Sequence, residues 1–195
     1  FLLGFMNQLP ATLSEKDRPA IDALSSDQLW QNCQDTIKRS IGLFEQAGYD
    51  LEVEDYHFTI LLGNPEKPML QLNKGYGGDG GIPGYLMLSL LPNDYTLPRV
   101  QAALAHECNH NVRFQFIKWN QQTTLADWVV SEGLAESFAA ELYGKELIGP
   151  WVTSTSSEQL EEIKPIISSQ LQLTGMAEMA PYLYGDDIAE IQGQI

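Results

Sequence analysis

The spacing of apolar residues predicts a long amphipathic helix near the start of the chain. Between Leu24 and Ala47, large apolar residues recur three or four positions apart, the repeat of one helix face: Leu29, Trp30, Ile37, Ile41 and Phe44. Gly48 follows directly, and glycine commonly ends a helix. We expect this helix to bury one face in a core.

Two shorter runs have the character of β-strands. His57–Gly63 is rich in β-branched, aromatic and aliphatic residues, and Tyr85–Leu91 is almost continuously apolar before a turn at Pro92. Between them, the segment from Lys74 to Gly84 holds six glycines. It lacks the G-K-[ST] signature of a phosphate-binding loop, so we predict a mobile loop beside a cleft, or a loop that needs positive φ.

A second helix is predicted from Thr96 onward. Thr96 suits the N-cap and Pro98 the first turn, where its missing N–H costs nothing. Core-facing positions then recur four residues apart: Val100, Leu104 and Cys108. This helix carries His106-Glu107-Cys108-Asn109-His110, an H-E-x-x-H sequence that uses two of the three histidines in the chain.

The H-E-x-x-H spacing predicts a zinc site. Residues at i and i+4 share one helix face, so His106 and His110 can bind one Zn²⁺. Glu107, next to the first histidine, can reach a water at the metal and serve as general base. A chance match on an ordinary helix is the alternative, and a third ligand is needed to decide.

The third ligand has to come from elsewhere in the chain. A metzincin would continue to glycine and histidine at the positions of Arg113 and Phe116, which excludes that subclass. His57 is interpreted as a strand histidine. A carboxylate from a following helix is the remaining standard arrangement, with two histidines and one glutamate.

A helix with suitable carboxylates follows. Thr124 and Asp127 resemble a capping box at its start, and Gly144 suits its end after Tyr143. Glu132 and Glu136 share a face, so one can bind zinc while the other orients a histidine. Apolar neighbours argue against a fully exposed face: Trp128, Val129, Val130, Leu134, Phe138 and Ala139.

Composition narrows the class of protein. A length of 195 residues permits one domain with a sizeable core, and a formal charge of −15 argues against nucleic acid and anionic membranes as partners. The segment from Phe1 to Met6 lacks the basic region of a signal peptide. With only Cys33 and Cys108 present, we expect reduced thiols and a cytoplasmic protein.

Four stretches of the chain resemble the YjaZ-like family, which comprises bacterial predicted zinc-dependent proteases of unknown function. The similarity covers about residues 75 to 193 and lies in these segments: Gly84–Pro92, Ala105–Phe114, Ser131–Phe138 and Tyr182–Asp187. It implies a gluzincin-like peptidase fold. It also implies ligand roles for His106, His110 and Glu132, and the catalytic role for Glu107.

We therefore expect a single α+β domain, 1–195, with a zincin-like fold. A lobe of helix and sheet would cover 1–95, and a helical lobe with the zinc site would cover 96–195, including helices at 157–172 and 176–193. Such a fold would place Tyr85–Leu91 at the sheet edge above the zinc helix, where a peptide could add as a strand. A buried core strand is the alternative.

The predicted function is zinc-dependent hydrolysis of a peptide or protein substrate. In this interpretation Glu136 orients a histidine that binds zinc, and Tyr182 or Tyr184 stabilises the oxyanion. Two alternatives stay open: a zinc hydrolase acting on a non-peptide bond, and a non-catalytic, zinc-stabilised interaction or chaperone-like module. The oligomeric state stays open as well.

Overall fold

The computed structural model describes residues 13–185, which fall into two compact units. The first holds 13–117 and 135–149, and the second holds 118–134 and 150–185. The helices are α1 (Arg18–Leu24), α2 (Asp27–Gln46), α3 (Pro68–Leu72), α4 (Val100–Phe116), α5 (Leu125–Tyr143), α6 (Pro150–Thr153), α7 (Ser157–Ser168) and α8 (Met176–Tyr184), and the strands are β1 (His57–Leu62), β2 (Tyr76–Ile82) and β3 (Tyr85–Leu90). The class is α+β, as predicted, with helix predominating.

The three strands form one mixed sheet in the order β1-β3-β2. β1 runs parallel to β3, with His57 opposite Tyr85, and β2 runs antiparallel to β3. The predicted edge position of Tyr85–Leu91 is therefore wrong, and the core-strand alternative is correct. A nearly continuous apolar run is typical of a strand with both faces covered, and Leu86, Leu88, Ser89 and Leu90 of β3 are all buried.

Most of the glycine-rich segment is strand β2, so the prediction of a loop is wrong for Tyr76–Ile82. Positive φ is confined to its flanks, at Gly75 (φ +99°) and Gly84 (φ +83°) as well as Lys74 (φ +53°). Within the strand, Gly78 pairs with Leu88 and Gly77 with Ser89. Glycine inside a strand commonly marks the close approach of another part of the chain, and here that part is α4.

The core of the first unit lies between α2, the sheet and α4. The predicted helix from Leu24 is interrupted at Ser25 and Ser26, because Ser26 has the extended backbone of an N-cap and α2 begins after it. Gly48, at φ +88°, ends the helix as predicted. Cys33 and Cys108 are fully buried in this core and both are free thiols.

The second unit contains the start of α5 and the helices α6 to α8. Backbone N–H groups of Leu125 and Ala126 donate to Leu173 and Leu171, which ties the start of α5 to the segment before α8. α7 is shorter than predicted, and the predicted continuation of α8 to 193 lies outside the described residues. Over residues 13–185, the helices lack the combination of length and apolar character needed to cross a bilayer. The division into lobes at 95 stays a prediction.

Candidate metal centre

The two histidines and the glutamate of the H-E-x-x-H sequence are all buried on helix α4. Val100, Leu104 and Cys108 anchor it in the core at 2% exposure or less, and His106, Glu107 and His110 are 6–7% exposed. Thr96 does not cap this helix directly. It precedes a 3-10 turn, Leu97–Arg99, and its hydroxyl donates to the Leu91 carbonyl at 2.6 Å.

The two imidazoles converge on one point. Nε2 of His106 and Nε2 of His110 lie 3.0 Å apart, and the rings are nearly perpendicular, at 80°. The ring of Phe114, one turn further along α4, stacks on His110 with an angle of 3° between the planes. This stacking restricts the rotation of His110 and keeps its nitrogen directed at its partner.

Glu132 on α5 supplies a carboxylate oxygen to the same place. One ligand-capable atom from each of His106, His110 and Glu132 lies within 4.8 Å of the other two. Helix α5 begins as the sequence predicts, because Asp127 accepts hydrogen bonds from the backbone and hydroxyl of Thr124 at 2.9 and 2.7 Å. Gly144 follows its end at φ +97°.

The donor set fits zinc. Two imidazole nitrogens and one carboxylate oxygen are the ligand types of catalytic zinc sites, which leave a fourth position for water. A tetrahedral ion with Zn–N bonds of about 2.0–2.1 Å holds its nitrogens about 3.3 Å apart, and the observed separation of 3.0 Å is close to this. The two imidazole nitrogens are thus close to the separation that zinc requires, and the carboxylate oxygen of Glu132 lies within 4.8 Å of both.

Glu136 contacts the ring nitrogen of His106 that faces away from His110. Its Oε1 is 3.1 Å from Nδ1 of His106, and its Oε2 accepts the backbone N–H of Gly149 at 3.3 Å. A carboxylate on Nδ1 favours the tautomer with the proton on that nitrogen. Nε2 of His106 then keeps its lone pair for a metal.

Glu107 fits beneath strand β2 because two positions of that strand lack side chains. A Cβ atom on Gly78 would lie 2.6 Å from Cγ and from Cδ of Glu107. A Cβ on Gly80 would collide with the Glu107 backbone. The contact of these two glycines with Glu107 was not predicted from the sequence, although their i, i+2 spacing is the repeat of one strand face.

Asn111 holds α4 against the β2–β3 hairpin through hydrogen bonds. This role was not predicted from the sequence. Asn111 is fully buried. Its amide nitrogen donates to the carbonyls of Gly80, Ile82 and Tyr85 at 2.8–3.0 Å, and its oxygen accepts the N–H of Gly84 at 2.8 Å. The residue after the second histidine thus sets the position of the strand over Glu107. The sequence feature that could have indicated this role is a polar residue next to the apolar, core-facing stripe of a helix.

The two tyrosines named as oxyanion candidates both lie in α8, where they are partly buried. Burial, together with the negative charge of Glu132, raises the pKa of Tyr184 to about 12. The third histidine, His57, stacks on Tyr85 in the sheet and is not part of the metal-ligand group found among residues 13–185.

Comparisons with known proteins agree on a family. Residues 29–193 match the model of a family described as predicted Zn-dependent protease, DUF2268. The uncharacterized protein YjfC of Bacillus subtilis (strain 168) is 36% identical over 193 residues, which cover 98% of this chain and 63% of YjfC. YjaZ of the same bacterium, also uncharacterized, is 32% identical over 147 residues, 69% of this chain and 56% of YjaZ. The chain therefore spans less than two thirds of either relative. No solved structure matches.

Proposed function

Since the chain belongs to this family of predicted Zn-dependent proteases, we propose that it is a zinc-dependent peptidase. His106, His110 and Glu132 would hold the metal, and Glu107 would act as general base. The observation that carries the proposal is that one ligand-capable atom from each of His106, His110 and Glu132 lies within 4.8 Å of the other two. Glu107, the residue after the first histidine, is 7% exposed.

The proposed mechanism assigns proton transfer to Glu107. Zinc bound with an open position lowers the pKa of water and polarises the scissile carbonyl. The Glu107 carboxylate accepts a proton from the attacking water and delivers it to the leaving amine. Glu136 supports His106 by accepting its Nδ1 proton, which keeps Nε2 available as a ligand.

We propose Tyr184, rather than Tyr182, as the group that stabilises the oxyanion. Burial, and to a smaller extent the negative charge of Glu132, raise its pKa. Tyr184 therefore belongs to the surroundings of a proposed ligand, and its hydroxyl keeps its proton at neutral pH. Tyr184→Phe should therefore lower kcat more than Tyr182→Phe, at unchanged zinc content. Equal effects of the two substitutions would remove this assignment.

We propose that the chain has a zincin-like fold, and the arrangement of helix and sheet supports this proposal. The H-E-x-x-H helix packs beneath a sheet whose two edge strands are β1 and β2, and β2 is the one that lies against Glu107. Because β3 is central, a peptide that adds as an extra strand next to Glu107 would pair with β2 and not with Tyr85–Leu91. We further propose a cytoplasmic location, which the two free cysteines support. Cell fractionation tests that location, and recovery of the protein outside the cytoplasm would contradict it.

The experiment that tests the function compares zinc-loaded wild type with Glu107→Gln on an unbiased peptide library. The variant should keep its zinc and lose about 10²-fold or more in rate, the typical contribution of a positioned general base. Equal hydrolysis by both proteins would remove Glu107 as the base. Cleavage of ester or other non-peptide substrates alone would favour the hydrolase alternative, and no turnover at all would favour the interaction module.

A further inference from the structure

Two glycines of β2 meet different parts of Glu107. A Cβ atom on Gly78 would lie 2.6 Å from Cγ and Cδ of the glutamate, and closer still to Oε1. A Cβ on Gly80 would collide with the Glu107 carbonyl oxygen and lie 2.9 Å from the carbonyl carbon. Carbon atoms in contact are normally about 3.5–4.0 Å apart. A side chain at 78 would thus displace the side chain of Glu107, whereas one at 80 would displace its backbone.

Both ends of strand β2 are held in place, so the strand cannot easily move away from α4. Asn111 bonds to the carbonyls of Gly80, Ile82 and Tyr85 and to the N–H of Gly84, which fixes the end of the hairpin on the helix. The start of β2 is held by pairing with β3, since Tyr76 lies opposite Leu90. An added methyl group at 78 would therefore act mainly on the flexible Glu107 side chain.

We propose that Gly78 is a positioning residue for Glu107: the missing side chain at this position sets where the carboxylate lies. The functional half of this inference rests on the proposed role of Glu107 as general base. A base must lie within hydrogen-bond reach of the proton that it accepts. Displacing the carboxylate should therefore lower kcat and leave zinc binding unchanged, because the three atoms nearest to the added methyl group all belong to the Glu107 side chain.

The chain offers a matched control one residue away. A Cβ atom on Gly77 would meet only Asn73 Nδ2, at 3.9 Å, which is ordinary contact. Gly77→Ala therefore changes the same strand by the same methyl group without touching Glu107. Gly80→Ala serves as a second comparison, because its clash is with the helix backbone.

A thermal-unfolding cycle on the zinc-loaded full chain tests the coupling without any assay of activity. Gly78→Ala should lower Tm by about 3–6 °C in the wild type, and by clearly less in a Glu107→Ala background, because that substitution removes Cγ, Cδ and Oε1. Gly80→Ala should lower Tm by the same amount in both backgrounds, because its clash is with the backbone of residue 107. If Gly78→Ala fails to fold alone but folds with Glu107→Ala, the coupling is supported as well. An equal loss of Tm in both backgrounds would overturn it.

Kinetics test the positioning role. Gly78→Ala should lose about 10²-fold in kcat, the scale expected for a misplacement near 1 Å, with KM and zinc content close to wild type. Gly77→Ala should match wild type, and adding Gly78→Ala to Glu107→Gln should cause no further loss. Wild-type kcat in Gly78→Ala would overturn the role. An inactive wild type would refute the proposed function instead, and the unfolding cycle would still decide the coupling.

Discussion

Oε1 of Glu136 lies 3.1 Å from Nδ1 of His106. We expect Glu136→Gln to weaken zinc binding by about 10–100-fold, because a neutral amide supports the ligand histidine less well than a carboxylate. Competition with a calibrated chelator measures this. Glu141→Gln, at an exposed position of the same helix, is the control and should keep wild-type affinity. Unchanged affinity in Glu136→Gln would contradict the role.

Glu132→Ala should weaken zinc binding more than Glu136→Ala. The first substitution removes one of three proposed ligands, whereas the second removes a group behind a ligand, which typically costs about 10–100-fold. The same chelator competition ranks the two variants. The opposite order would place Glu136 on the metal and move the proposed ligand by one helical turn.

Asn111→Ala should lower the free energy of unfolding by about 2–4 kcal/mol, because it deprives several buried groups of the hairpin of their partner. Denaturant unfolding measures the change. Asn109→Ala is the control, since Asn109 lies two residues earlier on α4 and is only partly buried. If both variants lost a similar free energy of unfolding, the hydrogen bonds of Asn111 to the hairpin would not be the cause.

Cys33 should make the folded state sensitive to alkali. Burial raises the pKa of its thiol from 9.0 to about 11. The unfolded chain loses this proton first, so the contribution to stability is complete below pH 9.0 and declines as the pH rises toward about 11. Urea unfolding between about pH 8 and 10.5 should show a shallower decline for Cys33→Ala than for wild type. Parallel declines would contradict the assignment.

Local signals predicted the helices because their causes lie within a few residues. The capping pair of Thr124 and Asp127 begins α5, and Gly48 ends α2. The H-E-x-x-H spacing likewise needs only one helical turn to bring His106 and His110 together. Which glutamate binds the metal stays a prediction from the family resemblance, and the geometry is consistent with it.

The sheet could not be predicted in the same way, since its determinants are distant in sequence. An apolar run such as Tyr85–Leu91 suits an edge or a central position until its neighbours are known. Strand β2 contains four glycines and a single β-branched residue, Ile82, so its composition does not resemble that of a strand. The reason for Gly78 lies 29 positions away, in Glu107. Asn111 has its partners in the same hairpin, which a helix pattern does not reveal.

A zinc titration of chelator-treated protein, followed by peptide hydrolysis, tests the proposed zinc peptidase most directly. We expect negligible activity without metal, a linear rise with added zinc and a plateau at about one equivalent per chain, since the three proposed ligands form a single site. His110→Ala should show neither tight binding nor the rise. Full peptidase activity in the metal-free protein, or a wild type that binds no zinc, would contradict the claim.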